Sequence, residues 1–156
     1  MPYGFRAALG WFHKSRSAID PAAGYTDSMS AMEPISTHDY SLDHGPIEDW
    51  QRADATASAT GRNTAPDATT AFAELGTIAG AEYGLWEMGA GAMRDVEGEE
   101  VFLVISGTGR IEFDEPALAP VELGPGSLVR LEDGMKTRWC VDEAPLRKLF
   151  IAPSEG

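Results

Sequence analysis

From about Ala71 onward the chain alternates short apolar runs with turn residues, and nothing in that region carries the apolar spacing of a long helix. β-Type runs lie at roughly residues 71–75, 83–88, 100–106, 109–113, 119–123, 127–131, 136–141 and 146–152, separated by Gly, Pro and Asp. Short strands spaced in this way close two antiparallel sheets on one another, so the pattern predicts an all-β sandwich or barrel. Gly107-Thr108-Gly109 offers positive-φ positions for a tight hairpin, and "LGPGS" at 123–127 gives a proline-set turn between glycines. The run Val101-Phe102-Leu103-Val104-Ile105 is apolar on both alternating faces and reads as a central strand covered on both sides. In "RIEFDE" the alternation points Ile111 and Phe113 inward and leaves Arg110, Glu112 and Asp114 in water.

The texture upstream differs. Residues 20–69 hold few large apolar groups and many Ala, Thr, Ser, Asp and Pro, so they do not bury enough surface to offset their own ordering entropy. They are expected to drape over the barrel, docking through Pro46-Ile47 and Trp50, with "GRNTAPDATT" at 61–70 as an extended loop. The expected organisation is a low-complexity N-terminal arm over 1–60, largely disordered or draped, and a single domain over 61–153. The first nineteen residues carry Arg6, Lys14 and Arg16 and no acid. They read as a floppy tail, or as residues ahead of a true start at Met29 or Met32, rather than as a secretory signal.

Charge narrows the partners. With 25 acidic against 12 basic residues the net charge is -13, which repels a nucleic-acid backbone in the absence of a basic patch. The single cysteine, Cys140, rules out an internal disulfide and any multi-thiolate metal site within one chain, which points to a cytoplasmic protein. No apolar run approaches the roughly 18 residues of a spanning helix.

Candidate chemistry concentrates in "AGAMRDVEGEEVFLVISGTGRIEF" at 90–113, where Asp95, Glu97, Glu99 and Glu100 run into an apolar strand. Close carboxylates are hard-cation ligands in principle. Strand alternation opposes a joint site and assigns Asp95, Glu97 and Glu99 to a solvated rim.

The residues then resemble a known family, the cupins, whose first motif runs from a glycine through two histidines and a glutamate to a glycine, and whose second carries a third histidine. Glu100-"VFLVIS"-Gly107 reproduces the glutamate-to-glycine spacing, and Gly126-"SLVRLED"-Gly134 echoes the second motif with Glu132 in place of its proline. "GLWEMGAG" (84–91), "VELGPGS" (121–127), "GMKTRW" (134–139) and "LRKLFIAP" (146–153) look like the small single-domain cupins grouped with the (S)-ureidoglycine aminohydrolase cupin domain. The resemblance implies an all-β double-stranded β-helix, the RmlC-like jelly-roll barrel. Counting back from Glu100 puts the two histidine positions at Arg94 and Val96, with the third at Thr137. None is an imidazole, so the usual metal ligands are missing and no cofactor is expected.

Glu100 keeps the inward phase and is the candidate acid/base or anchor for an amine. Arg94 is a candidate for pairing with Glu100 or with a ligand carboxylate, against the plainer reading of a surface arginine among acids. Trp86 and Trp139 fall on strands that line or cap the barrel in the resembling family, and as lone aromatics they also suit core packing. Thr137 completes the ligand-binding set. Lys148, in an apolar final strand, is either an edge gatekeeper, the preferred reading, or a polar group facing the cavity, and Cys140 faces away from Trp139. Two functions follow: a barrel binding a small amine- or ureido-like molecule without a histidine-held metal, or a metal-dependent aminohydrolase resembling (S)-ureidoglycine aminohydrolase. A homodimer paired through sheet faces is a further expectation.

Overall fold

The computed structural model describes residues 32–53 and 68–154. Their strands are β1 (Gly45–Pro46), β2 (Thr69–Ile78), β3 (Ala81–Met88), β4 (Gly91–Val96), β5 (Glu100–Glu115), β6 (Val121–Leu123), β7 (Leu128–Leu131) and β8 (Lys136–Pro153). Every pairing is antiparallel, in the order β1-β2-β3-β8-β5-β6, with β4 also on β8 and β7 also on β5. The expected all-β fold is therefore present. The basic N-terminal segment and residues 61–67 of the expected loop lie outside the described residues.

Two strands are longer than their sequence suggests. The stretch 100–113, read as a hairpin, is one continuous strand whose register shifts between Val104 and Gly109. Gly107-Thr108-Gly109 is thus an irregularity within β5 rather than a turn. The two last runs likewise fuse into β8, which pairs through 136–141 with β4 and the far half of β5, and through 146–153 with β3 and the near half of β5. A bulge bends a strand and increases its twist, and bends at matching heights in β5 and β8 curl one sheet into two facing halves. Gly107, at φ +82°, makes this possible, because an added Cβ would strike the Pro145 carbonyl and lie 2.7 Å from Leu146 Cα. By contrast "LGPGS" forms the turn its residues demand, with Gly126 at φ +92° and Ser127 N–H donating to Gly124 O at 2.9 Å.

Alternation sorts the side chains. Met88, Met93, Phe102, Val104, Ile111, Leu131, Trp139, Leu146 and Phe150 fill the interior, each at most 2% exposed. The outer face of β5 is not covered as expected: Leu103 is 38% exposed, opposite the 69% exposed Leu128.

The described part of the arm lies against the barrel. β1 adds to β2, Ile47 and Ala68 join the core, and Arg52 bridges to Met93. On the outer face of the sheet, Glu87 of β3 and Arg147 of β8 stand in register and form a buried ion pair, Nε to Oε2 2.6 Å. The same guanidinium donates to the carbonyls of Thr37 (2.8 Å) and His38 (3.2 Å), while His44 Nε2 lies 2.6 Å from Glu87 Oε1 and its Nδ1 2.9 Å from Thr69 Oγ1. The arm is thereby clamped by three side chains to the back of the barrel.

Candidate functional site

One end of the interior is polar. It is built by β3 (Trp86), β4 (Asp95), the β4–β5 connection (Glu97), β5 (Glu100, Phe102) and β8 (Thr137, Trp139, Lys148). Register explains the convergence: Asp95 faces Thr137, Met93 faces Trp139 and Trp86 faces Lys148 across the ladder. Directly opposed residues point to the same side of a sheet, so these side chains share the interior.

The acids are not the rim they were expected to be. Asp95 is 5% and Glu97 2% exposed, and only Glu99 stands in water, where it meets Arg130 at 2.6 Å. The reason is phase. The inward residues of β4 are Met93 and Asp95, whereas Arg94 points out and donates to the Trp50 carbonyl at 3.2 Å. The positions expected at Arg94 and Val96 are therefore one residue out of step, and in a strand one residue exchanges the faces. Glu97 lies beyond β4, where Glu97 N–H donates to Met135 O and Gly134 N–H donates to Glu97 O (both 2.8 Å), turning its side chain inward.

Glu97 Oε1 accepts from Thr137 Oγ1 at 2.6 Å and from Trp139 Nε1 at 2.7 Å. Among the described residues Asp95 takes a single hydrogen bond, from the Val96 amide to Oδ1 at 2.9 Å. Lys148, 5% exposed, donates through Nζ to Glu100 Oε1 at 2.5 Å. Its ammonium also lies over three rings, 4.8 Å from the centroid of Trp86, 4.4 Å from Phe102 and 4.7 Å from Trp139. Trp139 is central, tilted against Trp86 at 5.3 Å and against Phe102 at 5.5 Å.

Burial pushes the Asp95 carboxyl well above the usual carboxylate range, and the neighbouring charge of Glu97 adds to it. Burial raises Glu97 too, with Lys148 opposing the shift and Glu100 adding to it. Two hydrogen-bond donors stabilise the charged form of Glu97, whereas Asp95 has only the Val96 amide. Burial thus favours the neutral form of Asp95 more strongly than that of Glu97. On the outer face, burial raises the thiol of half-buried Cys140.

The structure thus brings together Trp86, Glu100, Thr137 and Trp139 from the sequence-derived set and leaves Arg94 outside. Sequence reasoning missed Asp95, Glu97 and Phe102, and preferred an edge role for Lys148 over the cavity-facing one that the structure shows. A signal for Lys148 existed: it is two residues from both Leu146 and Phe150, which share its face.

The donor set does not fit a histidine-held metal. Met93, Asp95, Glu100 and Thr137 face inward where imidazoles would be needed, and Lys148 already occupies a Glu100 oxygen. Among the described residues no three His, Cys, Asp or Glu side chains are gathered as a metal cage.

A curled antiparallel sheet with its polar residues collected at one end of an apolar interior defines a cupin barrel. Residues 76–150, just under half of the chain, match the family model described as the EutQ-like cupin domain, to which this stretch is similar. Among solved structures it is similar to the Clostridium difficile EutQ protein, at 21% identity and TM-score 0.50, over 68% of this chain and 79% of that one. It is also similar to a Salmonella typhimurium protein described as a candidate ethanolamine utilization protein Q, at 12% identity and TM-score 0.46, over 54% of this chain and 68% of that one. At 21% identity the likeness to the Clostridium difficile protein speaks to the fold alone. No curated protein matches the chain. The likeness to ureidoglycine aminohydrolase rests on the sequence phrases alone.

Proposed function

We propose that this barrel binds a small amine- or ureido-type molecule at its polar end. The observation that carries the reading is that the Lys148 ammonium meets Glu100 and the rings of Trp86, Phe102 and Trp139, while Glu97, bonded to Thr137 and Trp139, and Asp95 are buried with them. A ureido group offers N–H donors along one edge and a carbonyl on the other. Burial favours the neutral form of Asp95, whose O–H suits the carbonyl as a donor, and the carboxyl oxygens of Glu97 and Glu100 suit the N–H groups as acceptors. Flat ligands gain further contact area from tryptophan faces. Glu100 has a second role in this reading: it anchors the donor edge of the ligand while Lys148 holds its other contacts. Thr137 orients Glu97. Arg94, on the outer surface, has no part.

Calorimetric titration with N-carbamoylglycine, hydroxyurea and a series of short primary amines tests this. Binding by at least one class, weakened about tenfold or more in Glu100→Gln, is expected from loss of a charge-assisted hydrogen bond. No heat or thermal shift from any compound at about 10 mM, roughly the weakest affinity such small molecules show, overturns the reading.

A further inference from the structure

We propose that Lys148 sets the ligand class of this barrel. Its ammonium fills the place that the rings of Trp86, Phe102 and Trp139 and the Glu100 carboxyl make for an alkylammonium ion, so the site takes the neutral ureido type of ligand and turns away cationic amines. The ligand named here rests on the binding reading above; the filled cage does not.

The cage has the chemistry of a cation site. Lys148 Nζ lies 4.8, 4.4 and 4.7 Å from the ring centroids of Trp86, Phe102 and Trp139, and 2.5 Å from Glu100 Oε1. A ring face attracts a cation within about 6 Å, and several faces together recognise ammonium ligands. Other contacts hold the walls. Trp139 is fixed by its bond to Glu97 Oε1 at 2.7 Å and by its packing on Trp86 and Phe102, and Phe102 and Trp139 are at most 1% exposed. The lysine is fixed in turn, because Trp86 of β3 and Val104 of β5 flank it in register and it is itself 5% exposed.

A tethered group competes at an effective concentration on the order of millimolar or above. A free amine therefore has to expel a buried ammonium from its partners before it binds. A neutral ureido compound meets no such rival. An ammonium carries three N–H donors and Glu100 accepts from one, which leaves donors for the ligand's carbonyl oxygen. Asp95, with a single hydrogen bond among the described residues, keeps its second oxygen for the same ligand.

The test uses n-propylammonium, which replaces the atoms from Cγ to Nζ that Lys148→Ala removes, and 1-propanol as its neutral counterpart, on the full chain. At about 50 mM, propylammonium is expected to raise the Tm of Lys148→Ala by about 3 °C or more over sodium chloride of equal ionic strength, because a ligand that binds only the folded state stabilises it. The wild type and Lys148→Met, whose cages hold a side chain, show no such rise, and 1-propanol gives Lys148→Ala less than about half of it. If Lys148→Ala does not fold alone, refolding in propylammonium and not in 1-propanol is expected. The proposal is overturned by a wild type that responds to propylammonium as strongly as Lys148→Ala, by a Lys148→Ala, folded or unfolded, that is indifferent to it, or by an equal response to 1-propanol. Calorimetry in which the wild type binds a short primary amine as tightly as N-carbamoylglycine also overturns it. A wild type that binds neither class overturns the binding reading and the ligand named here, while the Lys148→Ala response still decides the cage.

Discussion

Replacing Arg147 by Met tests whether the arm is held by the buried ion pair on the back of the sheet. Met keeps most of the apolar stem, so the change removes charge and hydrogen bonds rather than packing. The side chains of Arg147 and Glu87 are 9% and 8% exposed, so solvent screening does little to the pair. Removing one partner of such a pair costs about 3–5 kcal/mol, because the other charge stays buried. His44, 2.6 Å from the remaining Glu87 oxygen, offsets part of that. The carbonyls of Thr37 and His38 sit in a largely exposed segment where water replaces the guanidinium, and their loss adds about 1 kcal/mol at most. The expected cost is therefore about 3 kcal/mol, a fall in Tm of about 10 °C for a chain of this size. Urea unfolding gives the free energy, and limited proteolysis of residues 32–53 reports the arm. In the double variant Glu87→Leu/Arg147→Met the stranded carboxylate is gone, and stability is expected to return above the single variant. A single-variant loss below about 1 kcal/mol, the range of exposed pairs, with no recovery in the double, refutes the clamp.

Asp95→Asn changes the pH dependence of stability. Burial raises the Asp95 carboxyl above its unfolded value of 3.8, so its stabilising contribution is complete below that pH and is lost as pH rises through the folded value. The variant is expected to gain on the wild type as pH climbs, and a difference that stays constant from acid to neutral pH contradicts this. Gly107→Ala places a Cβ at positive φ against the β8 backbone and is expected to cost at least about 2 kcal/mol in thermal unfolding. A cost under about 0.5 kcal/mol shows that β5 and β8 accommodate one another without this glycine.

The architecture was largely legible in the sequence because period-two alternation and turn chemistry are local. "RIEFDE" and "LGPGS" behave as their residues demand: Ile111 is fully buried, Arg110 pairs with Glu112 at 3.0 Å on the outer face, and Gly126 takes its positive φ. What misled was glycine. Gly107 and Gly109 carry the composition of a hairpin, and only the approach of residues 143–146 of β8 decides that they form an irregularity in one long strand. That contact spans more than thirty residues of sequence and has no local signature. β4 was missed for a related reason, since Gly91 to Val96 is short, and its pairing with Lys136 to Val141 is a tertiary fact.

The site depended on a finer quantity, the phase of one strand. An offset of a single residue made Arg94 and Val96 the inward positions and sent Asp95 to the solvent, when Met93, flanked by Gly91 and Asp95 on the same face, is the residue that belongs in an apolar core. Once Asp95 is inside, the rest of the cluster follows from charge alone. Three interior carboxyls demand a proton, a cation or both, and of the basic residues in the described strands only Lys148 shares the interior phase, two positions from Leu146 and Phe150. The lysine that looked like protection for a strand edge lies instead on the central strand, with β3 on one side and β5 on the other. A lone charge in an apolar strand is therefore best read through its neighbours at ±2: when they are core residues, the charge has a buried partner elsewhere in the chain, and here that partner is Glu100.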